Sequence, residues 1–210
     1  MYIDRIKIEK KLWEEGYKRI MGLDEVGRGC LSGPVVAAGV IFQEGVEIKG
    51  IKDSKQINEK QRIELEEEIK EKALFYTVKE GSLREIFEMN ILWASINTMK
   101  KCAEDDGADP DYLLIDGNRY TSSLIPHTCI IKGDDKSITI GAASILAKNY
   151  RDRYMKRLHK DYPEFGWDKN VGYPTPMHKK ALQEFGFTPH HRLGFKLGTI
   201  KKYQKTNDKY

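Results

Sequence analysis

Short apolar runs rich in Val, Ile and Tyr recur near 18–26, 33–42, 73–79, 112–116 and 127–132. Runs of this length, bounded by Gly, Asp and Pro, predict buried β-strands. Another period fills the gaps. Asn58 with Gln61 three residues on makes a capping box that opens an acidic run to about 72. Ser82 and Glu85 make a second one, followed by Met89, Leu92, Ile96, Met99 and Ala103 at alternating three- and four-residue steps. That is one apolar stripe on a helix, and it reads as core packing rather than a cofactor box. A third helix is predicted from about Ser137 through GAASILAKNYRDRYMKRLHK, with small residues on its early turns, basic residues on its later ones and Pro163 just beyond its end. Thr175 followed by Pro176 predicts a fourth helix start, and Gly186 its stop.

The elements run strand, strand, strand, helix, strand, helix, strand, helix, with a helical tail. Three strands before any long helix suggest antiparallel hairpins, and the later alternation suggests parallel pairing. An α/β fold built on a mixed sheet covered by helices follows. Neither a repeat nor a Ser/Gly linker divides the 210 residues, so a single domain spanning 1–210 is expected.

Composition then narrows the function classes. Cys30, Cys102 and Cys129 are scattered without C-x-x-C spacing, which argues against a disulfide framework or zinc site and suits a reducing cytoplasm. No apolar run approaches the roughly 18 residues of a membrane span, and the charged start MYIDRIKIEKK lacks a signal-peptide core. The net charge of +4 is unevenly spread: residues 1–105 carry 18 Lys+Arg against 20 Asp+Glu, and residues 106–210 carry 18 against 12. Lys148, Arg151, Arg153, Lys156, Arg157 and Arg192 contribute to a basic stretch able to hold a polyanion.

Candidate chemistry starts from Asp24 and Glu25, adjacent carboxylates inside an otherwise apolar, Gly-rich stretch. Burying them is costly unless a cation or strong donors offset the charge. Asp116 ends the run YLLID just before Gly117, and Asp134 follows Ile130, Ile131, Lys132 and Gly133 ahead of a helix. Three strands could therefore deliver four carboxylates to one end of a sheet. Like charges at close range need counter-cations, and with no sulfur in the set the fitting ones are Mg2+ or Mn2+. Two such ions about 4 Å apart serve in-line phosphoryl displacement. Gly27-Arg28-Gly29 falls short of a dinucleotide fingerprint, because Ser32 stands where a third glycine is needed and Pro34 opens a β-rich run. Those glycines instead allow close backbone approach to a ligand, with Arg28 as a fixed cation.

Together these segments resemble the ribonuclease HII family. DEVGRG with GPVVAAGVIF, DSK at 53–55, NI at 90–91, IDGN at 115–118, KGD at 132–134, GAASILAKNYRDR at 141–153, GYPTPMH at 172–178 and HR at 191–192 fall in that family's order and approximate spacing. The resemblance covers roughly residues 17–196. It implies a ribonuclease H-like fold, a mixed five-stranded sheet between helices, with an N-terminal segment to about 17 and a C-terminal helical part from about 160. It also implies an endoribonuclease that cuts the RNA strand of RNA–DNA hybrids. Such enzymes nick 5′ of single ribonucleotides in duplex DNA and leave 3′-hydroxyl and 5′-phosphate ends, a role in ribonucleotide excision repair.

Carried over position by position, the resemblance makes Asp24, Glu25, Asp116 and Asp134 the metal-binding and catalytic acids, with Asp135 the neighbouring alternative to Asp134. Gly27, Arg28 and Gly29 become the readers of the 2′-hydroxyl, which both donates and accepts hydrogen bonds. Tyr173 becomes the ring stacked on the following sugar, and Ser54, Lys55, Ser144 and Lys148 the phosphate contacts. His178 and His191 stay outside the catalytic set as hydrogen-bonded framework residues. Two departures stand out, Phe87 where relatives often carry an acid and Gly194 where they carry Ser. The tail KKYQKTNDKY lacks a sliding-clamp docking pattern, and a monomer is expected. Arg28 and the short start favour this family over its sister ribonuclease HIII; a catalytically silent hybrid binder is the remaining alternative.

Overall fold

The computed structural model describes residues 5–48, 50–51 and 57–194. Five strands, β1 (Ile20–Val26), β2 (Val35–Phe42), β3 (Ala73–Gly81), β4 (Tyr112–Asp116) and β5 (His127–Ile130), form one sheet in the order β3-β2-β1-β4-β5. β1, β2 and β3 are joined antiparallel, while β4 runs parallel to both β1 and β5. The mixed sheet expected from the sequence is the observed one.

Helices cover both faces: α1 (Lys7–Glu14), α2 (Glu59–Lys72), α3 (Leu83–Ala103), α4 (Ile138–Asp161), the short α5 (Trp167–Asn170) and α6 (Pro176–Phe185). Residues along β2 divide the core by strand alternation. Val36, Ala38, Val40 and Phe42 meet α4 and α2 through Ile145, Leu146, Leu65 and Ile69. Ala37 and Ile41, with Met21, Leu23, Leu113 and Ile115, meet α3 through Ile96, Met99 and Cys102. β2 is buried along its whole length because both faces are covered.

Both expected capping boxes form at Asn58 and Ser82, and Ser137 and Thr175 cap α4 and α6 through their side chains. Four features depart from the expected elements. α2 separates β2 from β3, so the antiparallel pairing there is not a tight hairpin, and residues 117–126 join β4 to β5 without a helix. α3 is broken at Asn90 (φ 65°, ψ 166°), whose Oδ1 accepts from the amides of Leu92 and Trp93 and so starts a second helix. α1 went unforeseen. It buries Leu12 and Trp13, and its fully buried Glu9 accepts hydrogen bonds from Ser137 Oγ and from the Thr139 amide (3.1 Å) and hydroxyl (2.9 Å) at the start of α4.

Candidate active site

Because β1, β4 and β5 are mutually parallel, their carboxyl ends open at one edge of the sheet, where α/β folds bind ligands. Leu23 of β1 pairs with Ile115 of β4, so Asp24 and Asp116 come next on neighbouring strands. Leu23 and Ile115 face α3, while Ile20 and Leu114 pack with Ile140 of α4. Alternation therefore puts Asp24 and Asp116 on the α4 face. Asp24 Oδ1 accepts from the Glu25 amide at 2.7 Å, and the carboxylate also bonds the Ser144 side chain on α4.

Asp116 Oδ1 accepts from the Gly133 amide at 2.7 Å. The fit is close, since a Cβ there would stand 2.6 Å from Ile140 Cδ1 and 3.3 Å from Asp116 Oδ1, so a larger residue requires the Ile140 side chain to shift. Gly133–Asp135 forms a single 3-10 turn after β5, and within it Asp134 is buried. Its neighbour Asp135 is instead ion-paired with Arg5 at 3.4 Å.

Burial, then the charges of Glu25 and Asp116, hold the Asp24 carboxyl well above its ordinary range. Burial raises Glu25 too, against the pull of Arg28 Nη1 at 3.0 Å and with a further push from Asp116. Asp24, Glu25 and Asp116 thus lie within electrostatic reach of one another. Among the described residues, no group of three or more His, Cys, Asp or Glu side chains is drawn tightly enough to hold an ion as it stands. In donor chemistry the set is all oxygen with surplus negative charge, which fits a hard divalent cation rather than a soft one. The nearby Cys30 thiol is turned to the Val171 carbonyl.

Beside these acids runs the loop 27–34. Arg28 is about half exposed, and Gly29 is open: a Cβ there would meet only the Tyr173 ring, at 3.7 Å. Tyr173 is 39% exposed, so its ring is available to a ligand on the side of Gly29.

Two buried arginines hold this loop from behind. Arg151 donates to the carbonyls of Pro34, Val171 and Ser32 at 3.0, 2.7 and 2.9 Å. Arg192 donates to those of Gly33, Arg28 and Pro34 at 2.8, 3.2 and 3.0 Å. Both had been counted toward a polyanion-binding stretch; they are turned inward instead, 0% and 2% exposed. Sequence reasoning missed this role because an arginine aimed at main-chain carbonyls leaves no partner to find in the sequence.

His178 and His191 are framework residues, as expected. The Thr188 amide points at His191 Nδ1, so the His191 proton sits on Nε2 and is donated to His178 Nε2 at 3.1 Å. Trp167 Nε1 donates to the same His178 nitrogen, which leaves the His178 Nδ1 proton for the Tyr173 carbonyl at 2.9 Å. Burial keeps both rings neutral, lowering His178 and taking His191 down to about 3.

Ser144 faces Asp24, and Lys148 is ion-paired with Asp152 at 2.7 Å. Arg153 and Lys156 likewise pair with Glu66 and Glu59 of α2. Ser54 and Lys55 lie outside the described residues.

The family model for ribonuclease HII matches residues 21–198. A ribonuclease HII of Salinibacter ruber is 48% identical over 193 residues, covering 90% of this chain and 96% of the relative. Among solved structures, ribonuclease H2 of Pyrococcus horikoshii superposes with a TM-score of 0.73 at 28% identity, covering 85% of this chain and 94% of that one. Ribonuclease HII of Archaeoglobus fulgidus, solved in complex with PCNA, gives 0.71 at 26% identity, covering 86% and 96%.

Proposed function

The chain belongs to the ribonuclease HII family and is a metal-dependent endoribonuclease; from that premise we propose that it nicks 5′ of single ribonucleotides embedded in duplex DNA, as well as cutting RNA–DNA hybrids. The observation that carries this reading is the placement of Asp24 and Asp116 side by side next to the open backbone of Gly29 and the Tyr173 ring. Acids alone would suit many phosphodiesterases. A glycine-lined backbone beside them suits one that must find a 2′-hydroxyl, because only main-chain groups free of a Cβ approach a ribose closely enough to both donate to and accept from it.

In this reading Asp24, Glu25, Asp116 and Asp134 hold two Mg2+ or Mn2+ ions. When bound, such ions supply an activated water and stabilise the leaving 3′-oxygen of an in-line displacement, which leaves 3′-hydroxyl and 5′-phosphate ends. Asp134 is taken over Asp135 as the fourth acid because it directly follows the glycine of the KGD motif. Gly27, Arg28 and Gly29 read the 2′-hydroxyl, and Tyr173 stacks on the next sugar. Ser144 and Lys148 take flanking phosphates, Lys148 by exchanging Asp152 for the substrate; Ser54 and Lys55 are assigned the same task from their motif alone.

The enzyme acts as a monomeric single domain in cytoplasmic ribonucleotide excision. Its tail, which lies outside the described residues, carries no clamp-docking pattern, although one archaeal relative was solved with PCNA. None of the described helices is long and apolar enough to cross a membrane.

The test compares a duplex carrying one ribonucleotide, a long RNA–DNA hybrid and an all-DNA duplex, with and without EDTA. Cleavage of the first at the 5′ side of the ribonucleotide is expected. Preference for the long hybrid with no incision at the single ribonucleotide would favour a ribonuclease HIII-type activity. Asp134→Asn should abolish nicking yet keep binding; unchanged turnover removes Asp134 from the set.

A further inference from the structure

We propose that Arg192 is a positioning residue for single-ribonucleotide selection, aiming the Gly29 amide at the substrate by holding the Arg28 carbonyl from behind. The inference rests on the reading of residues 27–29 given above and adds what makes that reading possible.

The loop 27–34 has little to shape it from within. Its own main-chain bond, from the Cys30 amide to the Gly27 carbonyl, is long at 3.4 Å. The rest of its bracing comes from far along the chain. Leu31 donates its amide to the Gly172 carbonyl at 2.8 Å and Gly33 donates to His190 at 2.9 Å, while the Arg192 amide donates to Leu31 at 2.8 Å. The Arg192 guanidinium then adds three further bonds, to Arg28, Gly33 and Pro34. A single residue so contacts four carbonyls of one loop.

The Arg28 contact sets a direction. In a trans peptide the C=O of one residue and the N–H of the next point opposite ways, and the described chain contains no cis peptide. Drawing the Arg28 carbonyl inward to Nη1 therefore turns the Gly29 N–H outward, on the side where Gly29 is open. Behind the same loop Gly27 (φ +96°) backs onto Arg151, whose Nε would be 2.2 Å from a Cβ there. The loop has a closed back and an open front.

The arrangement also requires arginine. A planar guanidinium spreads donors to three carbonyls at once, whereas a lysine ammonium is a single point on a flexible stem. Arginine also keeps its charge there, although burial and the neighbouring Arg151 charge pull the Arg192 pKa down to about 10.

The test uses the full chain with the single-ribonucleotide duplex and the uniform hybrid, in native protein and in Arg192→Lys, Arg192→Gln and Gly29→Ala. Arg192→Lys should lower kcat/KM on the single ribonucleotide by about tenfold or more, with a smaller loss on the hybrid. The Mg2+ concentration for half-maximal rate should not move. Faster amide exchange over 28–33 should accompany the loss. Equal losses on both substrates, or unchanged selectivity in a folded variant, overturn the proposal. Should both Arg192 variants fail to fold, exchange in the native protein decides instead: a fast Gly29 amide beside Leu31 and Gly33 amides as protected as those of α4 upholds it, and Leu31 and Gly33 exchanging as fast as an unstructured peptide overturns it.

Gly29→Ala separates this from the reading beneath it, since its methyl group meets nothing closer than Tyr173 at 3.7 Å. If Gly29→Ala nicks like the native enzyme, the glycine-loop reading fails and takes the Arg192 role with it. If Gly29→Ala loses selectivity and Arg192→Lys does not, only the Arg192 role fails.

Discussion

Asp24 concentrates the energetic tension of the site: a buried carboxyl whose pKa is raised first by burial and then by two like charges. Replacing it by Asn keeps the shape and relieves the repulsion. Asp24→Asn should therefore abolish cleavage and, in EDTA, raise stability by about 1 kcal/mol or more, read as a higher Tm by calorimetry. A lower Tm would mean that the charge is already compensated without metal. Tyr173→Ala should impair incision at single ribonucleotides while leaving the Mg2+ requirement unchanged; undiminished incision would remove the ring from the reading site. These residues were legible in the sequence because carboxylates inside apolar runs, and an aromatic within a Gly-Tyr-Pro-Thr string, are hard to explain by packing alone. Glu9 and Arg192 were not. Each looks like surface charge in a row of letters, and only the fold brings Ser137 and Thr139 to the one and the Arg28 carbonyl to the other.

Helices with side-chain caps were found by their caps, and the two without, α1 and the four-residue α5, were missed. α1 is eight residues long and its N-cap position, Ile6, makes no side-chain bond, so no punctuation announced it and the short apolar face of Ile8, Leu12 and Trp13 was passed over. The stripe from Met89 to Ala103 was read correctly as core where Ile96, Met99 and Ala103 are concerned, yet the same stripe concealed the break at Asn90. Asn90 occupies a backbone region open mainly to glycine, and offsets the strain by capping the second half of α3. Asn90→Ala keeps the strain and loses the cap, so it should cost about 2 kcal/mol. Asn90→Gly loses the cap but relaxes the backbone and should cost less; equal losses in urea denaturation would argue against stored strain.

Between α2 and α4, Glu66 receives Arg153 at 2.6 and 2.8 Å, Lys70 at 2.8 Å and Asn149 at 2.8 Å. Although burial opposes it, these partners take its carboxyl down to about 2. With the folded value below the unfolded one, its contribution is complete above about pH 4.5 and disappears as the pH falls toward 2. Denaturation midpoints over that window should therefore drop less steeply in Glu66→Gln than in the native chain.

At the level of the whole molecule, a mixed sheet was legible because apolar run lengths and helix periods survive in the sequence, whereas connection order did not. The Asn58–Gln61 capping box announced a helix in 58–72, but nothing local told that the strands on either side of it would pair antiparallel. The charge asymmetry was legible in amount but not in use. Part of the basic excess is spent on α2 and on loop carbonyls rather than left facing solvent. Electrostatic attraction to nucleic acid should accordingly be modest: the Kd for a hybrid duplex should weaken with salt along a log–log slope of only about −2 to −4, measured by fluorescence anisotropy. A much steeper slope would show that more phosphates are neutralised than the unpaired surface allows.

The bracing of residues 28–34 by Arg151 and Arg192 also has a temporal meaning during synthesis. All four proposed acids have been joined to the growing chain once Asp134 has been added, while the arginine that steadies the loop comes 58 residues later. In the proposed reading, a polypeptide cut short ahead of Arg192 keeps every acid assigned to cleavage and loses the brace assigned to choice, so removing that segment should cost discrimination before it costs hydrolysis.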